Sequence, residues 1–180
     1  MILPTIETER LILRPFRLED IDEVARMCAD ETVSRFIPTM PNPYTRESAA
    51  VWLATHREKA ESGKELILAI TDKNQDKLMG SIGLVMTPEH KRAELGYWLG
   101  KEFRNQGYMT EAAEAAVGHG FTKLGLEAVT CHHLQPNVSS GRVMQKIGMK
   151  HEGCRRKFYF HRSEFFDIVL YSILKEEFQP

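Results

Sequence analysis

The chain has 180 residues, of which 42% are hydrophobic and 27% are charged, a composition typical of a folded globular protein. Its 24 basic and 25 acidic side chains give a formal net charge of −1, which argues against broad electrostatic binding to nucleic acid or anionic lipid. No apolar run approaches the roughly 20 residues that a membrane span requires, and the N-terminus lacks a signal-peptide pattern. We therefore expect one domain over residues 1–180, located in the cytoplasm, with no membrane or direct nucleic-acid partner.

Cysteine and histidine residues show no metal-binding pattern. Cys28, Cys131 and Cys154 are widely spaced and form no CxxC pair, so we expect reduced thiols. His132 and His133 are adjacent in a predicted strand, and their side chains should point to opposite faces of the sheet. Since the sequence also lacks an HExxH motif, it predicts no metal site.

The first half of the chain predicts one strand, two helices and a meander. Apolar and polar residues alternate over residues 10–16, which indicates a half-buried strand, and apolar residues then recur at helical spacing from Leu18 to Cys28. Thr45 is a candidate N-cap for a second long helix, and Gly63 lies just past its end. Three strands follow, over residues 65–71, 77–86 and 92–99, the first two joined by a turn at residues 72–76.

The second half alternates between helices and strands. An Ala-rich helix is expected from Tyr108 to Leu124, and a further helix stops at Gly148. The remaining strands are predicted over residues 126–134, 149–161 and 164–174, with a turn near Arg162 and Ser163. The fold class is therefore α+β: an antiparallel meander, a βαβα unit and a closing hairpin, with about seven strands in total.

The junction between the strand at residues 92–99 and the helix at Tyr108 has the features of a phosphate site. A helix start presents free backbone N–H groups and the positive end of the helix dipole. Gly107 lets the backbone approach an anion closely because it has no Cβ atom. The stretch has neither the Lys-Ser/Thr of a P-loop nor a GxGxxG fingerprint. This combination suits a pyrophosphate that is bound but not cleaved, as in coenzyme A.

Several motifs resemble those of one enzyme superfamily. The run RNQGYM at residues 104–109 resembles the Q/R-x-x-G-x-G/A acyl-CoA loop of the GNAT superfamily of N-acetyltransferases. More closely, ELGYWL at 94–99 and GYMTEA at 107–112 resemble the RimJ/RimL-type ribosomal-protein N-terminal acetyltransferases. TERLILR at 8–14, Asn137 and Ser140 before KIGM at 146–149, and a terminal strand with Asp167 and Tyr171 also match. The resemblance covers nearly the whole chain and keeps the family's order.

The resemblance implies acetyl-CoA as co-substrate, no metal, and a mixed, mostly antiparallel sheet with helices on both faces. The sheet would splay between its fourth and fifth strands, and pantetheine would lie in that gap. The cofactor-binding residues implied are the main chain of Tyr97, Trp98 and Leu99, the amides of Gln106, Gly107, Tyr108, Met109 and Thr110, the flanking Arg104 and Asn105, and the side chain of Asn137. Met109 departs from the usual Gly or Ala, and its bulk is expected to alter the packing of the loop.

Acetyl transfer to an amine requires a base for the ammonium group and a proton donor for the departing thiolate. Glu94 is the candidate base, acting directly or through water, with a pKa raised toward neutrality beside an apolar cleft. The alternative is that Glu94 forms an ion pair with Lys91, Arg92 or another cation.

The resemblance implies Ser140 as the acid, near the cofactor sulfur. Tyr159 and Tyr171 are alternative acids, because many relatives use a tyrosine. Glu111, in the first turn of the helix after Gly107, is interpreted as structural, since a carboxylate there stabilises the helix dipole.

The acceptor is less well specified than the donor. A protein N-terminal amine, a polyamine and an amino-sugar all remain candidates, as does a non-catalytic acyl-CoA-binding regulator or a structural domain without cofactor. By the resemblance, residues 36–44 and the turn near Arg162 shape the acceptor cleft. These segments are more apolar and aromatic than acidic, which favours a peptide N-terminus or a modest-sized amine over a polycation. Either a monomer or a homodimer is expected.

Overall fold

Residues 3–179 are described by the structure, a computed structural model, and they contain one eight-stranded sheet. Its strands are β1 (Ile6–Glu7), β2 (Leu11–Arg14), β3 (Glu65–Asp72), β4 (Leu78–Thr87), β5 (Arg92–Leu99), β6 (Ala128–Leu134), β7 (Lys150–His161) and β8 (Glu164–Leu174). Their order is β1-β2-β3-β4-β5-β6-β8-β7, and β5 and β6 run parallel while the other neighbours run antiparallel. The predicted α+β class is confirmed. The strand beyond the expected seven is β1, whose two residues are too short to show a periodicity.

Helices cover both faces of the sheet. Within residues 3–179 they are α1 (Ile21–Ala29), α2 (Glu31–Ser34), α3 (Arg46–Ala54), α4 (His56–Glu61), α5 (Tyr108–Lys123) and α6 (Val138–Lys146). None of these helices has the length and apolar character needed to cross a membrane. Thr45 caps α3 as predicted, accepting the Ser48 N–H at 3.2 Å. The second long helix nevertheless breaks into α3 and α4 at Thr55, whose hydroxyl donates to the Trp52 carbonyl at 2.9 Å.

Two hydrophobic cores lie on opposite faces of the sheet. The larger core joins the sheet to α5 and α6 and includes Leu95, Val117 and Met144. The second core joins the sheet to α1, α2 and α3 and includes Val24 and Trp98. Because side chains alternate along a strand, β5 contributes to both cores. We call the face of the sheet that packs on α5 and α6 the α6 side, and the face that packs on α1 the α1 side.

The parallel pair β5 and β6 separates after three residues. Register pairs run from Arg92 opposite Ala128 to Glu94 opposite Thr130. β5 stays paired with β4 as far as Leu99, and β6 stays paired with β8 as far as Leu134. Residues 95–99 and 131–134 therefore border an opening in the sheet. β5 and β6 correspond to the fourth and fifth of the seven predicted strands, so this opening confirms the predicted splay.

Helix α6 packs unusually close to β6, and this contact places its first turn beside the opening. A Cβ atom on Gly141 would lie 2.7 Å from the His133 Nε2 atom, so a larger residue would push the helix away. Asn137 caps the helix, its Oδ1 atom accepting the Ser140 N–H at 3.4 Å. His133 packs under α6, whereas His132 faces the opposite side of the sheet, as predicted.

Beside the second core, α4 carries a buried histidine without hydrogen bonds. His56 is 5% exposed, neither ring nitrogen has a partner, and the ring packs on Trp52 at 4.4 Å and Phe16 at 5.4 Å. Burial, with a smaller effect of Lys59, lowers the pKa of His56 from 6.5 to about 4. The protein therefore folds around the neutral imidazole.

This histidine predicts a loss of stability in mild acid. Below pH 6.5 the unfolded chain binds a proton that the folded chain does not accept until about pH 4, so stability falls as the pH drops through this window. Between pH 7 and pH 5 the His56 contribution amounts to about 2 kcal/mol. Urea unfolding at both pH values should show that His56→Phe loses about 2 kcal/mol less than the wild type.

The control is His90→Gln, which removes an exposed histidine and should lose as much stability as the wild type. Equal losses for His56→Phe and the wild type would show that His56 does not cause the acid sensitivity.

Candidate functional site

The turn before α5 carries free main-chain donors. Gly107 has φ 83°, in the left-handed region that favours glycine, and the first bond of the helix runs from the Glu111 N–H to the Gly107 carbonyl at 3.1 Å. No residue in the described part of the chain accepts a hydrogen bond from the N–H groups of residues 106–110. The turn itself is exposed at Gln106 and Gly107. The donors that the sequence predicted therefore have no internal hydrogen-bond partner, and the start of this turn is open to solvent.

The loop reaches this conformation through local bonds. Asn105 also has a positive φ, 62°, and follows a short 3-10 turn at Lys101–Phe103. The Gln106 side chain folds back and donates to the Glu102 carbonyl at 3.1 Å. Met109 is 7% exposed and belongs to the core beneath α5. Its bulk is therefore accommodated away from the free N–H groups.

An ion pair from the turn between β1 and β2 holds the start of α5. Glu111 accepts hydrogen bonds from the Thr8 hydroxyl at 2.6 Å, the Arg10 N–H at 2.8 Å and the Arg10 Nε atom at 2.7 Å. Partial burial acts to raise the pKa of Glu111, but these bonds outweigh it and keep the pKa below its usual value. The Arg10 Nη1 atom also donates to the Gln106 carbonyl at 3.0 Å, and its guanidinium lies 4.5 Å from the Tyr108 ring. These contacts fit the structural role predicted for Glu111.

An open cavity of about 500 Å³ lies against the first turn of α5. Its charged lining includes two cations that the sequence reasoning did not assign to the site, Arg10 and Lys146. The other lining residues are Glu9, Gly107, Thr110, Glu111 and Glu114. Arg10 comes from the turn between β1 and β2 and Lys146 from the end of α6, so only the folded chain brings them together.

Arg104, predicted to flank a pyrophosphate, makes its hydrogen bonds elsewhere. Its Nε atom donates to the Leu99 carbonyl at 3.1 Å, and its Nη1 atom donates to the Thr32 hydroxyl at 3.2 Å. The guanidinium thus ties the end of β5 to α2. In this arrangement Arg10, rather than Arg104, contacts the turn at Gly107.

The β5 edge beside the opening exposes main-chain groups. The Leu95 carbonyl accepts from the Cys131 thiol at 3.1 Å across the opening, and the Leu99 carbonyl accepts from Arg104. Because main-chain groups alternate along a strand, Tyr97 presents its N–H and C=O to the same edge, beyond the last β6 pairing. Trp98 presents its main chain to β4 instead, and its side chain packs near Trp52 at 6.4 Å.

A pair of hydroxyl groups lies on the α6 side of the opening. The Ser140 hydroxyl donates to the Tyr97 Oη atom at 2.9 Å, and the Tyr97 hydroxyl donates to the Ser140 carbonyl at 3.1 Å. Burial raises the pKa of Tyr97 well above its usual value, so its hydroxyl stays protonated. Asn137 uses its Oδ1 atom for the cap, and its Nδ2 atom has no partner among the described residues. Sequence reasoning considered Tyr97 for its main chain and missed its hydroxyl.

Glu94 lies on the α1 side of the opening and is paired with a histidine. Its Oε1 atom is 2.9 Å from the His132 Nδ1 atom, and the side chains are 52% and 24% exposed respectively. The bond from His132 lowers the pKa of Glu94, against partial burial that would raise it, and Arg155 adds a smaller lowering. The predicted rise in the Glu94 pKa is therefore wrong. The partner is His132 on the adjacent strand, not Lys91 or Arg92.

The two alternative tyrosines lie in different surroundings. Tyr171 is 6% exposed, accepts a hydrogen bond from Gln145 at 3.2 Å and stacks on His133 at 6.0 Å. Tyr159 stacks on His132 at 5.9 Å, on the Glu94 side of the sheet. Neither hydroxyl has a hydrogen bond to Ser140, whose side-chain partner is Tyr97.

The tip of the β7–β8 hairpin rests on α2. The Arg162 guanidinium donates to the Ser34 hydroxyl at 3.1 Å and lies 3.4 Å from the Glu31 carboxylate. In the segment at residues 36–44, Ile37, Met40 and Tyr44 pack against the second core. The two segments predicted to shape an acceptor cleft therefore lie on the same side of the sheet as Glu94.

Over residues 3–179, no three His, Cys, Asp or Glu side chains lie close enough together to hold a metal ion. Cys28, Cys131 and Cys154 are free thiols, as predicted.

Known proteins with related sequences and structures are acetyltransferases. Residues 10–150 match the family described as Acetyltransferase (GNAT) domain. The chain is 30% identical over 172 residues to the uncharacterized N-acetyltransferase YnaD of Bacillus subtilis, covering 96% of this chain and 98% of that protein. It is 29% identical over 99 residues to the ribosomal-protein-serine acetyltransferase of Escherichia coli, covering 54% and 55% respectively.

Similarity of fold extends over nearly the whole chain. A GNAT-family acetyltransferase structure from Bacillus anthracis superposes with a TM-score of 0.86 at 29% identity, covering 97% of this chain and 100% of that one. The family resemblance carried by the loop around Gly107 is thereby confirmed. The chain belongs to the GNAT family of acetyltransferases.

Proposed function

We propose that the protein transfers an acetyl group from acetyl-CoA directly to a primary amine, with a protein N-terminal amine as the favoured acceptor. The observation that carries this proposal is the set of free N–H groups at residues 106–110 next to an opening between β5 and β6. An extended chain ending in a diphosphate fits both features at once. GNAT enzymes use such a donor, and these two surfaces support its use here.

In this proposal the diphosphate is bound by main-chain donors without metal. The N–H groups of Gly107 and its neighbours, at the positive end of the α5 dipole, supply the hydrogen bonds. Arg10 and Lys146 bring positive charge to the same cavity, which Glu9, Glu111 and Glu114 also line, so the main-chain donors carry most of the proposed binding. The exposed main-chain edge at Tyr97, the Asn137 amide and the neighbouring strand β6 would hold the pantetheine arm in the opening.

The proposed chemistry takes place across the sheet. Glu94 and His132 lie on the α1 side, where an ammonium group would be bound and deprotonated. Ser140 and Tyr97 lie on the α6 side, where the sulfur would regain a proton. The two proton transfers would thus take place on opposite sides of the opening, with the thioester between them. This arrangement supports a direct attack of the amine on the thioester.

The surroundings of Glu94 favour a peptide acceptor. Glu31, the carboxylate at the tip of α2, is already paired with Arg162, and Arg155 lies near Glu94. A polyamine would need several free carboxylates, and Glu31 and Glu94 each already have a partner. The E. coli relative is named for acetylating a ribosomal protein, which is consistent with a protein N-terminus here.

Release of free thiol from acetyl-CoA tests the function. Wild-type protein should release coenzyme A in the presence of peptides with a free N-terminus, and mass spectrometry should locate the acetyl group on the terminal amine. Spermidine and glucosamine should be poorer acceptors, and N-terminally blocked peptides inactive. Binding of coenzyme A without acceptor-dependent thiol release across the whole panel would instead support a non-catalytic regulator.

Two neighbouring serines provide a control for the acid. Ser140→Ala should bind coenzyme A as the wild type does but release thiol about 100-fold more slowly, because the proton donor is lost. Ser139→Ala, an exposed substitution on the same helical turn, should leave the rate unchanged.

Gly107→Glu tests the diphosphate site. The new carboxylate would stand at the free N–H groups, and a Cβ atom there would lie 3.3 Å from the Arg10 Nη2 atom. We expect affinity for coenzyme A to fall at least about 100-fold, since repulsion and lost hydrogen bonds act together. Isothermal titration calorimetry measures the affinity.

The matched control is Gly63→Glu. Gly63 also has a positive φ, 71°, and open space around its Cβ position, but it follows α4 on another part of the surface. It carries the same backbone strain and the same added charge. Affinity that falls equally in both variants, or in neither, would contradict a diphosphate site at Gly107.

A further inference from the structure

We propose that His132 is the general base of the acetyl transfer and that Glu94 positions it. This inference rests on the proposed function, and it replaces Glu94 as the proton acceptor. Glu94 remains part of the site in a different role, holding the imidazole in one orientation and one tautomer.

The hydrogen-bond pattern of His132 leaves one nitrogen free for the reaction. The Nδ1 atom lies 2.9 Å from the Glu94 carboxylate, which accepts hydrogen bonds only, so Nδ1 carries the hydrogen. The Nε2 atom has no hydrogen-bond partner among the described residues, and the side chain is 24% exposed. In the neutral imidazole, Nε2 then carries the lone pair and accepts a proton.

The position of His132 in the sheet places this nitrogen at the opening. The last pair of β5 and β6 joins Glu94 to Thr130, and His132 lies two residues farther along β6, on the same face as Thr130. That face is the α1 side, opposite the Ser140 and Tyr97 hydroxyl pair. Tyr159 of β7 stacks on the imidazole at 5.9 Å and limits its rotation.

The charges around His132 explain why Glu94 itself is a poor proton acceptor. Glu94 contacts the ring from β5, Tyr159 from β7, and Arg155 of β7 acts on the Glu94 carboxylate. The lowered pKa of Glu94 makes it weakly basic. An ionised carboxylate that faces an imidazole instead stabilises the imidazolium formed when a proton arrives, as in carboxylate–histidine pairs of other enzymes.

The proton balance follows from this arrangement. The ammonium of the acceptor gives one proton to His132 Nε2, which later releases it to solvent. The amine nitrogen then forms a bond to the carbonyl carbon, the carbon–sulfur bond breaks, and sulfur keeps the electron pair. The nitrogen loses a second proton as the amide forms, which balances the proton that the Ser140 and Tyr97 side delivers to sulfur. The products are the acetylated amine, coenzyme A and one proton.

His132→Asn separates the role of Nε2 from the pairing of Glu94. The asparagine amide nitrogen lies about where Nδ1 was and still donates to Glu94, whereas no atom replaces the Nε2 lone pair. With the best acceptor of the peptide panel, kcat/KM should fall by about 10²- to 10⁴-fold. The pH–rate profile of the variant should also lose its acidic limb, the fall in kcat/KM toward low pH. Affinity for coenzyme A should stay within about twofold. Glu94→Gln should lower the rate but keep an acidic limb, because the imidazole remains.

His90→Asn, at an exposed histidine remote from the sheet opening, is the matched control and should match the wild-type profile. The proposal would be overturned if His132→Asn kept the acidic limb of the pH profile and a kcat/KM within about threefold of the wild type. Long-range nitrogen–proton NMR of histidine-labelled wild-type protein gives a readout that needs no turnover. A His132 signal with the hydrogen on Nδ1 supports the proposal, and a hydrogen on Nε2 overturns it, even if no acceptor in the panel is acetylated.

Discussion

The site depends on the early separation of two parallel strands. β5 and β6 pair over three residues only, at Glu94 and the two residues before it. A continuous ladder would satisfy the main-chain groups of Tyr97 and close the sheet. The separation leaves these groups free and gives the residues on both faces of the sheet access to a common opening. The groups to which we assign donor binding, proton removal and proton return in the proposed reaction all border it.

Helix α5 adds a second constraint, because its free donors are useful only if the turn is held in place. Gly107 provides the positive φ, and the Arg10–Glu111 pair fixes the turn against β2. This pair also neutralises a carboxylate that would otherwise repel a diphosphate. The charge of Glu111 is therefore compatible with the proposed anion site one turn away, although the sequence alone does not reveal its partner Arg10.

Local patterns made much of the fold predictable. The helix start at Tyr108, the cap at Thr45 and the final hairpin depend on residues close in sequence, and the structure has them where the sequence indicated. The break at Thr55 was missed because the hydroxyl bond to the Trp52 carbonyl that accompanies it has no signature in the hydrophobic pattern. The two-residue strand β1 is too short for any periodicity to reveal it.

Contacts between distant residues limited the prediction of the site. The sequence predicted that His132 and His133 face opposite sides, but not that Glu94 would meet His132, since this contact requires the parallel register of β5 and β6. Without that partner, a raised Glu94 pKa was the natural expectation, and it was wrong. Arg10 and Lys146 were likewise outside the predicted site because the fold alone brings them to the start of α5.

The most direct test of the central claim is an amide NMR titration of the protein with coenzyme A. The account predicts that the N–H signals of residues 106–110, together with Tyr97 on the β5 edge, shift most strongly, because these free donors become hydrogen-bonded. Titration with pantetheine, which lacks the diphosphate, should shift Tyr97 and leave residues 106–110 largely unchanged. Saturable binding of coenzyme A that leaves the amides of residues 106–110 unshifted would contradict the account.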